Sequence, residues 1–509
     1  MLTLAGFRPR SSNEDQDSEM PNIDDLWDYQ PLVRRPGKGT VETEPAEDAW
    51  PAHSSAQSSA PTPVPHDTRV FIAPPVVAPP VTPRSIATSV GARSRAILRR
   101  GHTLSYVGLF LFTLVLYFRP YELFSALSSL DKLAYWLAIA TIAVFIPSQL
   151  ALEGNLTAFP RSVKLVLFIT LAGLLSMITA INKQEAWAEF NDVFIKAVLM
   201  FIVMVNVVRT ERRLTLLLYV TLAVTFLLSF NALSDYRTGN FTVEGYRIKG
   251  LLGGMFGNPN DLALHFVTMA PLALTMMVIS RRLIVKIVFL ITTILIVAGN
   301  VVTYSRGGFL GLMVTALVLA WKLGRHHRAM LAIVGPVVLV AFMVLAPGNY
   351  GRRLLSIFVP GLDTMGSASS RQEILNRSII VSLRNPITGI GMGNFHTVSL
   401  RETVTHNAFT QISAEMGIAA LIAYMMFLTG PIMRLRRIER NTMESPPDRR
   451  YYYQSIGLQA SLVGYMVSAF FAAVAYQWYA YYLVAFAVCL SRMYDSDHAH
   501  EASQKVRPS

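Results

Sequence analysis

Several arginines stand where charge is costly. Arg306, in Thr303-Tyr-Ser-Arg-Gly-Gly308, falls at the end of a long apolar run. An arginine at membrane depth costs about 2.5–3.5 kcal/mol on insertion scales, so it is expected to face protein, a cavity or an anion. Arg247, Lys249, Arg371, Arg377, Arg384 and Arg401 lie in two segments predicted on the same side of the membrane as Arg306. A single such residue can snorkel to lipid phosphates. Several in two loops are better explained by an anionic substrate, and the planar guanidinium suits phosphate better than an ammonium does. The second feature is His406-Asn407. On a helix, Thr410, Ser413 and Gly417 share the face of His406, giving a small, polar stripe. An interfacial histidine there can pack or act as a base. Glu415, nine residues on and about half a turn round, reads as a buried structural acid. Asp261 and His265, four apart, are weaker candidates for the same cavity.

Other chemistries lack their parts. The chain has no Walker motif, no zinc-type Cys/His cluster and no Gly-x-Ser-x-Gly elbow. Gly389-Ile-Gly-Met-Gly393 resembles a phosphate loop only superficially and predicts a tight, backbone-exposed turn. Cys489 is the one cysteine and lies in the last apolar run, so no intramolecular disulfide can form.

The elements that position these residues are apolar helices. Of the 509 residues, 52% are hydrophobic and 15% charged, against the roughly 25% charged of soluble domains. The apolar residues gather into span-length runs, which predicts an all-α, polytopic bundle of about 12 transmembrane helices. The runs fall near 104–118, 132–150, 163–181, 192–208, 213–235, 260–279, 283–303, 308–323, 329–346, 406–428, 456–474 and 475–491. The net charge of +13 lies in short clusters between runs, the positive-inside pattern rather than a nucleic-acid face. Arg209, Arg212 and Arg213, then Arg281, Arg282 and Lys286, then Lys322, Arg325 and Arg328, then Arg434–Arg440 with Arg449 and Arg450 all fall inside. Both termini are then cytoplasmic.

Residues 1–102 are a separate region, with 14 of the 27 prolines, an acidic start and Ser/Ala/Thr-rich stretches. Such a segment cannot bury enough apolar surface to fold, and reads as a disordered cytoplasmic tail. It is either a docking segment for a cytoplasmic partner or a dispensable extension. No apolar h-region marks a secretory signal there. Residues 103–491 form the membrane domain, 347–405 its large periplasmic loop, and 492–509 a cytoplasmic C-terminal tail. A second outer loop spans about 236–259. Within the large loop, Ser370-Arg-Gln-Glu373 has capping-box form, with a helix expected to follow through Leu383 and stop at Pro386.

These segments resemble a known family. His406-Asn407, nine residues and Gly417 are similar to the H-[NSQ]-x9-G signature of bacterial O-antigen ligases, whose superfamily includes O-antigen polymerases and protein O-oligosaccharyltransferases. Thr303-Tyr-Ser-Arg-Gly-Gly308 resembles the superfamily's T-x-S-R-G segment. Gly257-Asn-Pro-Asn260, and Arg371 followed by Asn385-Pro386 and Gly389-Ile-Gly-Met-Gly393, also fit. The resemblance covers about 103–491 and leaves the tail aside. Ala420 departs from it, since many ligases carry Gly, Thr or Tyr there. It implies glycosyl transfer on the periplasmic face of the bacterial inner membrane, without cofactor or metal. The donor is a glycan on undecaprenyl diphosphate and the acceptor a hydroxyl of lipid A-core or another glycan. Arg306 and Arg371 would clamp the diphosphate with help from Arg247, and His406 would take the acceptor's proton. Ligase and polymerase remain alternatives, as does, from another class, a flippase of lipid-linked sugars.

Overall fold

The computed structural model describes residues 101–241, 243, 247–324, 367–399, 402–445 and 448–505. The expected tail up to residue 100, the ninth run at 329–346, the first part of the large loop and Arg401 lie outside the described residues. The described residues are all-helical, with one isolated bridge between Val243 and Arg247. In chain order the helices are α1 (Thr103–Phe118), α2 (Leu133–Glu153), α3 (Arg161–Ser176), α4 (Lys183–Val207), α5 (Glu211–Thr238), α6 (Pro259–Ile279) and α7 (Leu283–Val302). There follow α8 (Arg306–Leu323), α9 (Ser367–Arg384), α10 (Ala408–Met416), α11 (Ile418–Thr442), α12 (Arg449–Ala469) and α13 (Trp478–Lys505). A π-type turn at Phe190–Phe194 interrupts α4.

Eight of the described helices (α1, α2, α4–α8 and α11) are long and apolar enough to cross a membrane. The chain is a multi-pass membrane protein. Its centre is α6, buried along almost its whole length, with α7 and α12 packed along it. Peripheral helices turn apolar faces outward: Leu283, Ile284, Ile287, Val288, Ile291 and Ile294 are exposed along α7. In water such a stripe would aggregate; in lipid it is the solvated face. Polar residues inside the bundle return bonds to their own helices, as Thr113 does to the Leu109 carbonyl at 2.8 Å and Thr275 to that of Pro271 at 2.9 Å.

Charge marks one end of this bundle. Arg209 pairs with Glu153 at 2.7 Å, Lys322 with the fully buried Glu439 at 2.5 Å, and His498 with Asp448 at 3.1 Å. Arg434–Asp495 and Arg450–Glu211 join them. Arg209, Lys322, Arg434 and Arg450 belong to the basic clusters that the sequence places on one side. The candidate site residues occupy the opposite end.

The structure corrects several sequence expectations. The run at 406–428 is two helices, broken at Gly417, and the long apolar helix is α11 itself. Arg434, Arg436, Arg437 and Arg440 therefore ride on its last turns. Helix α9 is already formed at Ser367, so Ser370 is inside it rather than capping it. The glycine turn is tight but buried, as the site geometry explains. Runs 456–474 and 475–491 are really α12 and α13 separated by Phe470–Gln477, and α13 continues as helix to Lys505, where a separate tail was expected.

Candidate functional site

Arg306 is the first residue of α8. Tyr304 before it has φ 53°, and Ser305 caps the helix by accepting the Gly308 N–H at 3.2 Å. A left-handed non-glycine residue is strained by about 1–2 kcal/mol, and a cation at a helix N-terminus opposes the helix dipole. Such costs are tolerated where an anion will be held. Buried Arg247 secures this turn: its Nε donates to the Thr303 carbonyl at 3.1 Å and its Nη2 to Asn260 Oδ1 at 2.8 Å. The same Oδ1 accepts the Ser305 hydroxyl at 2.9 Å. The Gly257-Asn-Pro-Asn260 and Thr-x-Ser-Arg segments are thus parts of one hydrogen-bonded corner.

His406 repeats the local pattern. It is left-handed, at φ 51°, and directly precedes the cap of α10. Asn407 Oδ1 accepts the N–H groups of Phe409 and Thr410 at 2.9 and 3.1 Å. Burial, and then the nearby charge of Arg371, holds the imidazole's pKa below the usual 6.5. Both effects disfavour the imidazolium, leaving a neutral ring able to accept a proton. Arg371 comes from α9, which lies along α10 and is tied to it by Ser382 and Ser413 at 2.8 Å.

Behind these residues, Gly389–Gly393 wraps the end of α10. Ile390 and Gly391 donate their N–H groups to the carbonyls of Ala414 and Glu415, each at 3.0 Å. Gly389, at φ 68°, lies so close that a Cβ would sit 2.5 Å from the Met416 nitrogen. Glu415 accepts the N–H groups of Gly393 at 3.0 Å and Phe395 at 3.3 Å, and the Tyr476 hydroxyl at 2.7 Å. Burial pushes its pKa up to about 7 against these three bonds, which favour the carboxylate. The structural reading of Glu415 is the one the bonds support. At Gly417 a Cβ would meet the Ile387 carbonyl carbon at 2.6 Å, and Ile418 donates to the Pro386 carbonyl at 2.8 Å. In His406-Asn407-x9-Gly417, the asparagine starts α10 and the glycine ends it against the loop after α9.

The structure therefore makes two clusters at one end, Arg306 with Arg247 and His406 with Arg371. The connection Phe470–Gln477 touches both. Phe471 abuts Gly307, where a Cβ would come within 2.7 Å of the Phe471 Cβ. The Ala475 N–H donates to Gln411 of α10 at 3.3 Å, and Tyr476 reaches Glu415. Sequence reading missed this wedge because 475–491 reads as one apolar run. It also missed Arg119, left-handed at φ 44° beyond α1, which pairs with Glu122; that carboxylate accepts the Gly253 N–H at 2.6 Å. Pro120 immediately after it was the available signal. His265, by contrast, is fully buried, bonded to Thr225 at 2.9 Å and packed among Tyr117, Phe256 and Tyr479. Asp261 meets the Tyr479 hydroxyl through its carbonyl at 3.5 Å. Neither is brought to His406.

Residues 291–425 match the family model described as O-antigen ligase. The chain carries an O-antigen ligase superfamily domain. The matched residues run from within α7 into α11 and include Arg306, Arg371, His406 and Gly417. The superfamily comprises glycosyltransferase-like ligases and polymerases of cell-surface glycan biosynthesis. No curated protein matches the chain.

Proposed function

We propose that the protein transfers a glycan from undecaprenyl diphosphate to an acceptor hydroxyl at the periplasmic face of the bacterial inner membrane. One observation carries this reading: a half-buried His406, held neutral by burial and by Arg371, at the bundle end that also bears Arg306. A donor diphosphate arriving through the lipid would meet Arg306 on the α8 N-terminus, where dipole and guanidinium act together. Arg371 would contact the same group from α9, and Arg247 would hold the Arg306 turn in register. The acceptor oxygen attacks the anomeric carbon, the bond to the diphosphate oxygen breaks, and the electron pair leaves on the diphosphate. His406 receives the acceptor proton, a contribution of about 10²–10⁴-fold. The arginines stabilise charge as it develops on the leaving group. The diphosphate linkage supplies the driving force, so no nucleotide or metal enters the scheme.

In this reading residues 103–491 form the transferase, with both termini and the 1–102 tail in the cytoplasm. The ion-paired end of the bundle is the cytoplasmic one. The alternative acceptor is another lipid-linked repeat unit, as in a polymerase. Gene deletion followed by gel analysis of surface glycans separates the readings. Loss of capped lipopolysaccharide with intact lipid-linked polymer marks a ligase. Accumulation of single repeat units on the lipid marks a polymerase, and units trapped on the cytoplasmic leaflet would contradict transfer.

A further inference from the structure

We infer that Glu415 is a positioning residue, which with Tyr476 joins the His406–Arg371 half of the site to the Arg306 half. The inference rests on the proposed transfer for its kinetic arm only. Three strands of structure meet at this carboxylate. It belongs to α10, whose N-terminus follows His406. Its two oxygens accept the N–H groups of Gly393 and Phe395, in the segment that continues from Arg371's helix. Its third partner, the Tyr476 hydroxyl at 2.7 Å, belongs to the connection whose Phe471 abuts Gly307, next to Arg306. Glu415 and Tyr476 are both buried, so no water replaces a lost bond at low cost. Gln411 braces the same connection through the Ala475 N–H at 3.3 Å.

The Gly393 N–H and the Tyr476 hydroxyl share one oxygen, Oε2. Glutamine keeps the shape of this side chain but presents a donor nitrogen at one of the two oxygens. Two donors aim at Oε2 and one at Oε1, so either amide orientation leaves at least one N–H without an acceptor. The helix that follows His406 then loses register with the segment after Arg371's helix, with the Tyr476 connection, or with both. Misplacement of reacting groups by about 1 Å costs on the order of 10²-fold in rate.

The test uses the full-length protein purified in lipid nanodiscs, with Glu415→Gln, Glu415→Ala and Tyr476→Phe variants. Two quantities are read: the His406 titration by NMR of ¹⁵N-histidine-labelled protein, and single-turnover transfer from a glycan on undecaprenyl diphosphate. Expected are a His406 titration moved toward its ordinary value in the Glu415 variants, and transfer slowed about 10²-fold at saturating donor with donor affinity kept within a few-fold. Tyr476→Phe removes one hydroxyl and carries the test if the Glu415 variants do not fold; it should slow transfer while leaving the His406 titration in place. Folded variants with unchanged transfer and unchanged titration overturn the inference. If wild type itself transfers nothing, the proposed function fails, and the titration arm alone still decides whether Glu415 holds Arg371 against His406.

Discussion

Replacing Gly417 with alanine isolates what the last residue of the His-Asn-x9-Gly signature does. Gly417 has φ 91° and ψ 169°, a region open essentially to glycine, and another residue there is strained by about 1–3 kcal/mol. The new Cβ would also press on backbone, 2.6 Å from the Ile387 carbonyl carbon and 2.9 Å from the Pro386 oxygen. Neither atom is the movable end of a side chain, so overpacking adds about 1–3 kcal/mol. The expected loss is roughly 2–6 kcal/mol, a large part of a typical 5–15 kcal/mol stability. Two control glycines separate the causes. Gly154 has φ 70° with nothing within 4 Å of its Cβ position, so alanine there should cost only the left-handed strain, about 1–2 kcal/mol. Gly430, inside α11 with open space around it, should be neutral or gain up to about 1 kcal/mol of helix propensity. Thermal unfolding of the three purified variants in detergent should rank Gly430→Ala above Gly154→Ala and Gly154→Ala above Gly417→Ala. A Gly417→Ala variant as stable as Gly154→Ala would refute the clash, and with it the account of why the signature ends in glycine.

Three further outcomes follow from the site. Arg306→Lys should insert normally yet transfer poorly, because an ammonium cannot make the planar two-point contact with phosphate; full activity in vesicles would make Arg306 a snorkelling residue. Since His406 is held below 6.5 partly by Arg371, kcat/KM should fall on acidification through a pH below 6.5, as the base becomes protonated. Arg371→Ala removes one of the two lowering causes, so the acid limb should move to higher pH; a limb that stays put, or moves down, would exclude that coupling. Reporter fusions at residue 365 should signal periplasm and those after Arg440 cytoplasm, and reversed signals would place the site on the wrong side.

The helices were legible because span-length apolar runs are a local property, and most boundaries from α1 to α8 fall within a few residues of the runs. The corner at Arg306 and the cap at Asn407 could also be located from sequence, since each is a short segment carrying its own capping chemistry. Gly417 was legible as a motif but not as a break, because an apolar run of the same length continues through it. Its necessity comes from Ile387, thirty residues earlier in the chain. Burial of the Gly389–Gly393 turn has the same origin: the groups it wraps belong to α10. Glu415 could be assigned as a structural acid from its side of the helix, but not its partners, since Tyr476 lies within what reads as a spanning run. For Asp261 and His265, helical spacing places two side chains on one face without saying what that face meets. For His265 it is an aromatic core.

The central claim is that His406 takes the acceptor proton during transfer from a lipid diphosphate. The direct measurement is single-turnover transfer by purified His406→Ala protein in nanodiscs, from a glycan on undecaprenyl diphosphate, with donor binding measured on the same preparation. The account predicts wild-type donor binding, transfer slower by at least about 10²-fold, and partial recovery as pH rises and the acceptor ionises. A folded His406→Ala variant that binds donor and turns over near the wild-type rate would contradict it.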